Sequence, residues 1–156
     1  MIETPTGSKF TGVKFRETCA VSIMRSGEAI EQALRTVTYD ISLGKVLVQR
    51  DPNTSERKLL YSTLPKNLKR AHVLVLDPIM ASGSAAMAAI KHITENGVKQ
   101  KNITFVTMLT CPEGVMNVLK AFPRITIATS MLDDGLDDKK LLIPGIGDFA
   151  DRYFGT

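Results

Sequence analysis

Tryptophan is absent from this chain, aromatic residues make up only 6% of it, and no basic run is interleaved with rings that could stack on bases. A nucleic-acid-binding surface is therefore not expected. Only two cysteines and two histidines occur, with no C-x-x-C pair and no spacing that suggests zinc. Cys19 stands in an apolar run and Cys111 directly before a proline, which points to reduced thiols in or near the core rather than a disulfide. No apolar run approaches the roughly 18 residues that a membrane helix needs, and the first five residues lack the basic and apolar regions of a signal peptide. The expectation is a soluble, cytoplasmic protein without a membrane partner.

What remains is an ordinary globular composition. A chain of 156 residues, 44% hydrophobic, suits one domain with a real core. The net charge of +4 is uneven, because residues 131–156 hold six acids against three bases, a net of −3, which leaves +7 on residues 1–130. A basic body suits an anionic ligand, and solvated surface charge is the alternative for most of these residues. The acids Asp133, Asp134, Asp137 and Asp138 match no calcium loop and read as solvated loop, so no protein-built metal site is expected.

Short aliphatic or β-branched runs at 19–24, 45–49, 72–76, 103–109 and 125–130 read as buried strands. Helix-length segments lie between them at 28–37, at 85–96 before Gly97, and at 113–121 between Pro112 and Pro123. That alternation implies an α/β fold with a parallel sheet covered on both faces. In the middle helix Ala86, Ile90 and Ile93 share the sheet-facing stripe, while Lys91 and Glu95 face water. The polar segment between Arg50 and Leu59 reads as a mobile loop.

Near the end, Gly145, Gly147 and Ala150 match G-x-G-x-x-G/A. That fingerprint binds a dinucleotide only where it follows a strand and opens the helix of a βαβ unit of about 30 residues. Only six residues follow Ala150, and a polar loop precedes it, so the dinucleotide reading is rejected. The stretch HVLVLDPIMASGSAAMAAI (72–90) is more informative. A strand runs into Asp77, then a loop of small residues, then an alanine-rich helix. Such a loop turns backbone N–H groups around an anion, and the helix N-terminus adds unpaired donors. No lysine follows the glycine, which disfavours a nucleotide-hydrolysing loop. Mere capping of the helix by Ser84 would explain neither Asp77 nor the loop.

VLDPIMASGSA, with VSIMRSGEAIEQALR upstream and LIPGIGDFADR near the end, resembles the uracil phosphoribosyltransferase family, including the C-terminal domain of uridine kinase-like proteins. The family's loop usually reads D-P-x-x-A-T-G-G-S. The resemblance covers nearly the whole chain. It implies a parallel-sheet phosphoribosyltransferase fold of type I-like architecture, with a base-binding loop near the C-terminus. It also implies a pentosyltransferase that forms UMP and diphosphate from uracil and 5-phospho-α-D-ribose 1-diphosphate, in pyrimidine salvage. Magnesium bound with that substrate, GTP as an activator, and a homodimer or homotetramer come with it. Family members carry a further N-terminal segment of some tens of residues, so the chain is read as the domain without it. The rivals are a uracil- or UMP-binding regulatory domain of a uridine kinase-like protein and, more remotely, an RNA-binding regulator on the same scaffold.

By the same resemblance, the phosphoribosyl substrate falls to Asp77, Pro78, Ile79, Met80, Ala81, Ser82, Gly83, Ser84 and Ala85, with Asp77 near the ribose hydroxyls. Arg25 and Arg50 fall on the two diphosphate-contacting arginines, and Asp148 also faces the ribosyl substrate; Arg25 and Asp148 are the residues assigned to the chemistry. The edge of uracil falls to the backbone of Leu142, Gly147, Asp148 and Phe149. Pairing of Arg25 with Glu28 at a helix start is the bland alternative for that arginine. Two departures stand in the loop: Ser84 replaces a glycine, where a positive φ would strain it, and Ala85 replaces a hydroxyl residue. His72 and His92 read as structural.

Overall fold

The computed structural model describes residues 2–11, 17–51 and 57–156. A small ribbon of β1 (Ile2–Glu3) and β2 (Lys9–Phe10) precedes the main body. Then follow β3 (Thr18–Met24), α1 (Gly27–Val37), β4 (Ser42–Arg50), β5 (Arg57–Thr63), β6 (His72–Leu76), β7 (Ile79–Met80) and α2 (Ser84–Glu95). A 3-10 turn (Gln100–Asn102) leads into β8 (Ile103–Thr110), α3 (Pro112–Ala121) and β9 (Thr126–Leu132). The ribbon β10 (Gly135–Leu136) and β11 (Leu142–Ile143) and the short α4 (Phe149–Phe154) close the chain.

Seven strands form one sheet in the order β5-β4-β3-β6-β8-β9, with β7 paired to the far end of β8 on the β6 side. All pairs are parallel except β4–β5. The expected parallel sheet is present, with one antiparallel pair added at its edge. Arg57 and Lys58, read as loop, begin an antiparallel edge strand, and Lys58 forms an ion pair with Asp51 across its base. Residues 52–56, the middle of the expected mobile loop, lie outside the described residues.

Alternation along β3 shows how the sheet is covered. Val21 and Ile23 join one core cluster with Val73, Val75, Ile103 and Phe105, against Ala86, Ala89, Ile90 and Ile93 of α2 and Val118 of α3. Ser22, on the opposite face, donates to Glu31 of α1 at 3.0 Å. The stripe Ala86, Ile90, Ile93 is buried as expected, and Lys91 and Glu95 form an exposed i,i+4 pair. Cys19 and Cys111 are buried free thiols, and burial, aided by Glu17, pushes Cys19 up to about 11. The expectation of five buried strands fails at β9, which is the sheet's outer edge and largely exposed. Among the described residues no helix is long and apolar enough to cross a membrane.

Candidate functional site

A cleft of about 270 Å³ opens at the C-terminal ends of β3, β4 and β6, where ligands of open parallel sheets gather. Its floor is the loop after β6. Gly83 precedes α2 with φ +79, and an added Cβ there would meet Val118 Cγ2 at 2.6 Å. The left-handed turn is thus enforced by α3 behind it. The strain expected at Ser84 does not arise, because the positive φ falls one residue earlier and Ser84 is the first residue of the helix. Nor does Ser84 cap the helix.

The carbonyls of this loop are held from behind by side chains of β8, of α3 and of Cys111 between them. Thr107 Oγ1 donates to Pro78 O (3.1 Å), Thr110 Oγ1 to Met80 O (2.8 Å), Cys111 Sγ to Ala81 O (3.6 Å) and Asn117 Nδ2 to Ser82 O (3.1 Å). Fixing the carbonyls this way fixes the peptide planes, and the first-turn amides of α2 have no intrahelical acceptor. The result is a preorganised loop of the kind that suits an anion. Ser82 Oγ and Ser84 Oγ, 3.2 Å apart, stand at its rim.

Asp77 directly follows β6, is 7% exposed, and accepts from Ser26 Oγ at 2.7 Å. Burial pushes its carboxyl up to about 7, against the Ser26 hydroxyl, the Ile79 amide and the Arg57 guanidinium, which favour the charged form. Gly27 lets α1 close on this corner, since a Cβ there would lie 2.3 Å from Leu76 O. Because the carboxyl titrates near 3.8 when unfolded and near 7 when folded, the native state holds the extra proton between those values. The Asp77 contribution to stability therefore falls as pH rises from about 4 to 7 and stays lower above. Asp77→Asn is expected to melt several degrees above the parent at pH 8 and close to it at pH 4. A thermal scan series from pH 4 to 8 with a constant difference between the two proteins would contradict this.

The opposite wall comes from residues 141–150. Asp133 is 5% exposed and accepts from Gly145 N–H at 3.2 Å, which corrects its reading as solvated loop. Asp137 Oδ1 accepts from Leu141 N–H at 2.8 Å and ties the β10–β11 turn. Gly145, at φ +52, packs so closely that a Cβ would fall 2.1 Å from Leu142 O. Gly147, at φ +75, has nothing within 4 Å of an added Cβ and lines the cleft with Asp148, Phe149 and Ala150. The glycine fingerprint thus builds a wall rather than a dinucleotide turn, and the preceding segment is a small antiparallel ribbon.

Asp148 caps α4 by accepting from Asp151 N–H at 2.9 Å. Arg25 holds that helix in place: Nη2 pairs with Asp151 Oδ1 at 3.0 Å, Nη1 donates to Thr156 Oγ1 at 3.1 Å, and its guanidinium lies 5.3 Å from the Phe154 ring centroid. Tyr153 OH adds a bond to Gln32 Oε1 at 3.1 Å. Glu28, the alternative partner for Arg25, pairs with Lys45 instead.

Of the residues marked from sequence, the cleft gathers Asp77, Ile79, Met80, Ala81, Ser82, Gly83, Ser84, Ala85, Gly147, Asp148 and Phe149. Pro78 and Leu142 are buried behind the lining, and Leu141 takes the lining position. Arg25 sits between two lining residues, Met24 and Ser26, while Arg50 ends β4 outside the lining. Sequence reading missed Ser26 and Arg57. Their only signals were a serine at the turn after β3 and one of two adjacent cations in a polar segment. Among the described residues no group of three or more His, Cys, Asp or Glu side chains forms a ready metal cluster.

Comparison with known proteins identifies the family and the fold. The family model of uracil phosphoribosyltransferase matches residues 1–156. Uridine kinase-like protein 3 of Arabidopsis thaliana is 45% identical over 99% of this chain, which spans 33% of that protein. The uracil phosphoribosyltransferase of Dictyostelium discoideum is 44% identical over 99% of the chain, which spans 72% of it. A solved structure from Aquifex aeolicus, 29% identical, superposes with a TM-score of 0.86 over 99% of this chain and 74% of that one. A purine phosphoribosyltransferase of Pyrococcus horikoshii, 15% identical, shares the fold with a TM-score of 0.57 over 78% of this chain and 81% of that one.

Proposed function

This chain belongs to the uracil phosphoribosyltransferase family, and from that premise we propose that it forms UMP and diphosphate from uracil and 5-phospho-α-D-ribose 1-diphosphate. The observation that carries the reading is the single cleft in which an anion cradle at 81–84 faces a backbone-lined wall at 147–149. The cradle takes the 5-phosphate, and the wall takes the edge of the base, whose alternating donors and acceptors suit main-chain groups.

Breaking the bond at C1 of the sugar leaves positive charge on the ring and negative charge on the departing diphosphate. The protein therefore needs to hold both partners in line and favour the leaving group, without a nucleophilic side chain. Asp77, ionised above about pH 7, accepts from the ribose hydroxyls, and Asp148 faces the sugar from the opposite wall. Arg25 turns from Asp151 to the diphosphate. Arg50 approaches it from the end of β4. Magnesium would neutralise diphosphate charge, and the two cleft carboxylates Asp77 and Asp148 fit an ion that takes its remaining ligands from the substrate and water. GTP activation, a homo-oligomer and a cytoplasmic setting extend the reading on family resemblance.

The test is UMP formation from radiolabelled uracil, the ribosyl diphosphate and magnesium, with orotate and hypoxanthine as competitors. UMP is expected, with neither competitor consumed. Uracil or UMP binding without turnover would replace this reading with the regulatory-domain one, which the match to a uridine kinase-like protein favours.

A further inference from the structure

Arg57 opens β5 and lines the cleft, although nothing in the family's pattern points to it. Its Nε donates to Ser84 Oγ at 3.3 Å, and Ser82 Oγ donates to the same oxygen at 3.2 Å. One guanidinium and two hydroxyls therefore converge on the rim of the anion cradle. Among the described residues Arg57 has no carboxylate within ion-pair reach, and its guanidinium acts on the cleft carboxylate Asp77 only at longer range.

A cation at the N-terminus of α2 is electrostatically awkward. The first turn of a helix carries partial positive charge and repels a guanidinium. The same arrangement becomes favourable once an anion lies between the two, because guanidinium, hydroxyls and amides then share it. Arg57 also meets the loop at Ser84, one of the two adjacent positions where it departs from the family. Ser84, in place of glycine, supplies the hydroxyl that orients the guanidinium, and Ala85 has lost the hydroxyl that would have served as a donor.

We infer that Arg57 is a substrate-binding residue that grips the 5-phosphate of the ribosyl substrate from β5, anchored by Ser84, and so replaces the donor missing at Ala85. The inference rests on the function proposed above and deepens it.

Calorimetric titration of the full chain in magnesium buffer, with ribose 5-phosphate and separately with inorganic pyrophosphate, tests it. Arg57→Ala is expected to weaken ribose 5-phosphate binding at least tenfold and leave pyrophosphate within about twofold, and Arg57→Lys to recover part of the loss. Ser84→Gly, which frees the guanidinium, is expected to fall between parent and Arg57→Ala. Unchanged ribose 5-phosphate affinity in Arg57→Ala overturns the inference. So does a parallel loss of both ligands with a lowered melting temperature, which marks a purely structural role. A parent protein that binds neither ligand removes the proposed function itself, and this inference with it.

Discussion

Gly114→Ala is expected to lower the melting temperature by roughly 6 to 12 °C and to abolish measurable binding of the ribosyl diphosphate. Gly114 lies in the first turn of α3, and a Cβ there would stand 2.1 Å from Ala81 O and 3.1 Å from Met80 O. Neither neighbour is a flexible side chain. Both are backbone carbonyls of the anion cradle, already held by Cys111 and Thr110. Either α3 lifts off, which loosens Val118 in the core, or the loop moves and its amides lose their aim. Overpacking of a rigid contact costs about 3 kcal/mol, and for a domain of this size each kcal/mol moves the midpoint by about 2 to 4 °C. Gly135→Ala is the control, since nothing lies within 4 Å of its added Cβ. Thermal scans and calorimetry that found Gly114→Ala as stable and as tight-binding as Gly135→Ala would mean that α3 does not brace the loop.

That bracing was not legible in the sequence, although the loop itself was. The limits of β6 (His72–Leu76) follow from an uninterrupted apolar run, and the cradle announces itself by small residues between a strand and a helix. The glycine that bears the positive φ is set by the packing of Val118 and Gly114, contacts about 30 residues away along the chain. For the same reason Thr107, Thr110 and Asn117 gave no sign of their task, since a hydroxyl or amide shows no target until the chain folds. Arg57–Thr63 escaped because RKLLYST lacks clean alternation and begins in the polar, turn-rich segment, and its pairing with β4 decides the matter. The residues 125–130 misled in the opposite direction: β-branched composition reports a strand, while burial depends on what covers it, and β9 has a neighbour on one side only. At the C-terminus the glycine pattern was readable, but the roles divide by geometry. Gly145 is confined by backbone, and Gly147 opens on empty space.

That division leads to the second large effect, Gly147→Val, which is expected to lower kcat/KM for uracil at least 100-fold, about 2.7 kcal/mol of transition-state stabilisation. The valine meets no protein atom at its Cβ, so it enters the cleft where the edge of the base would approach the main chain. Two costs must be separated, because a branched residue at φ +75 also strains the backbone by about 1–3 kcal/mol. Gly155→Val supplies the comparison. Gly155 has φ +71 and equally open surroundings, yet it ends α4 and does not line the cleft. Both variants should lose similar stability, and only Gly147→Val should lose uracil. Ribose 5-phosphate, held across the cleft by the loop after β6, should bind both variants nearly as it binds the parent. Gly147→Ala, with its smaller intrusion, is expected to lie between. If calorimetry gave Gly147→Val and Gly155→Val the same uracil affinity, the base would not be read at this wall, and the space in front of Gly147 would belong to another part of the substrate.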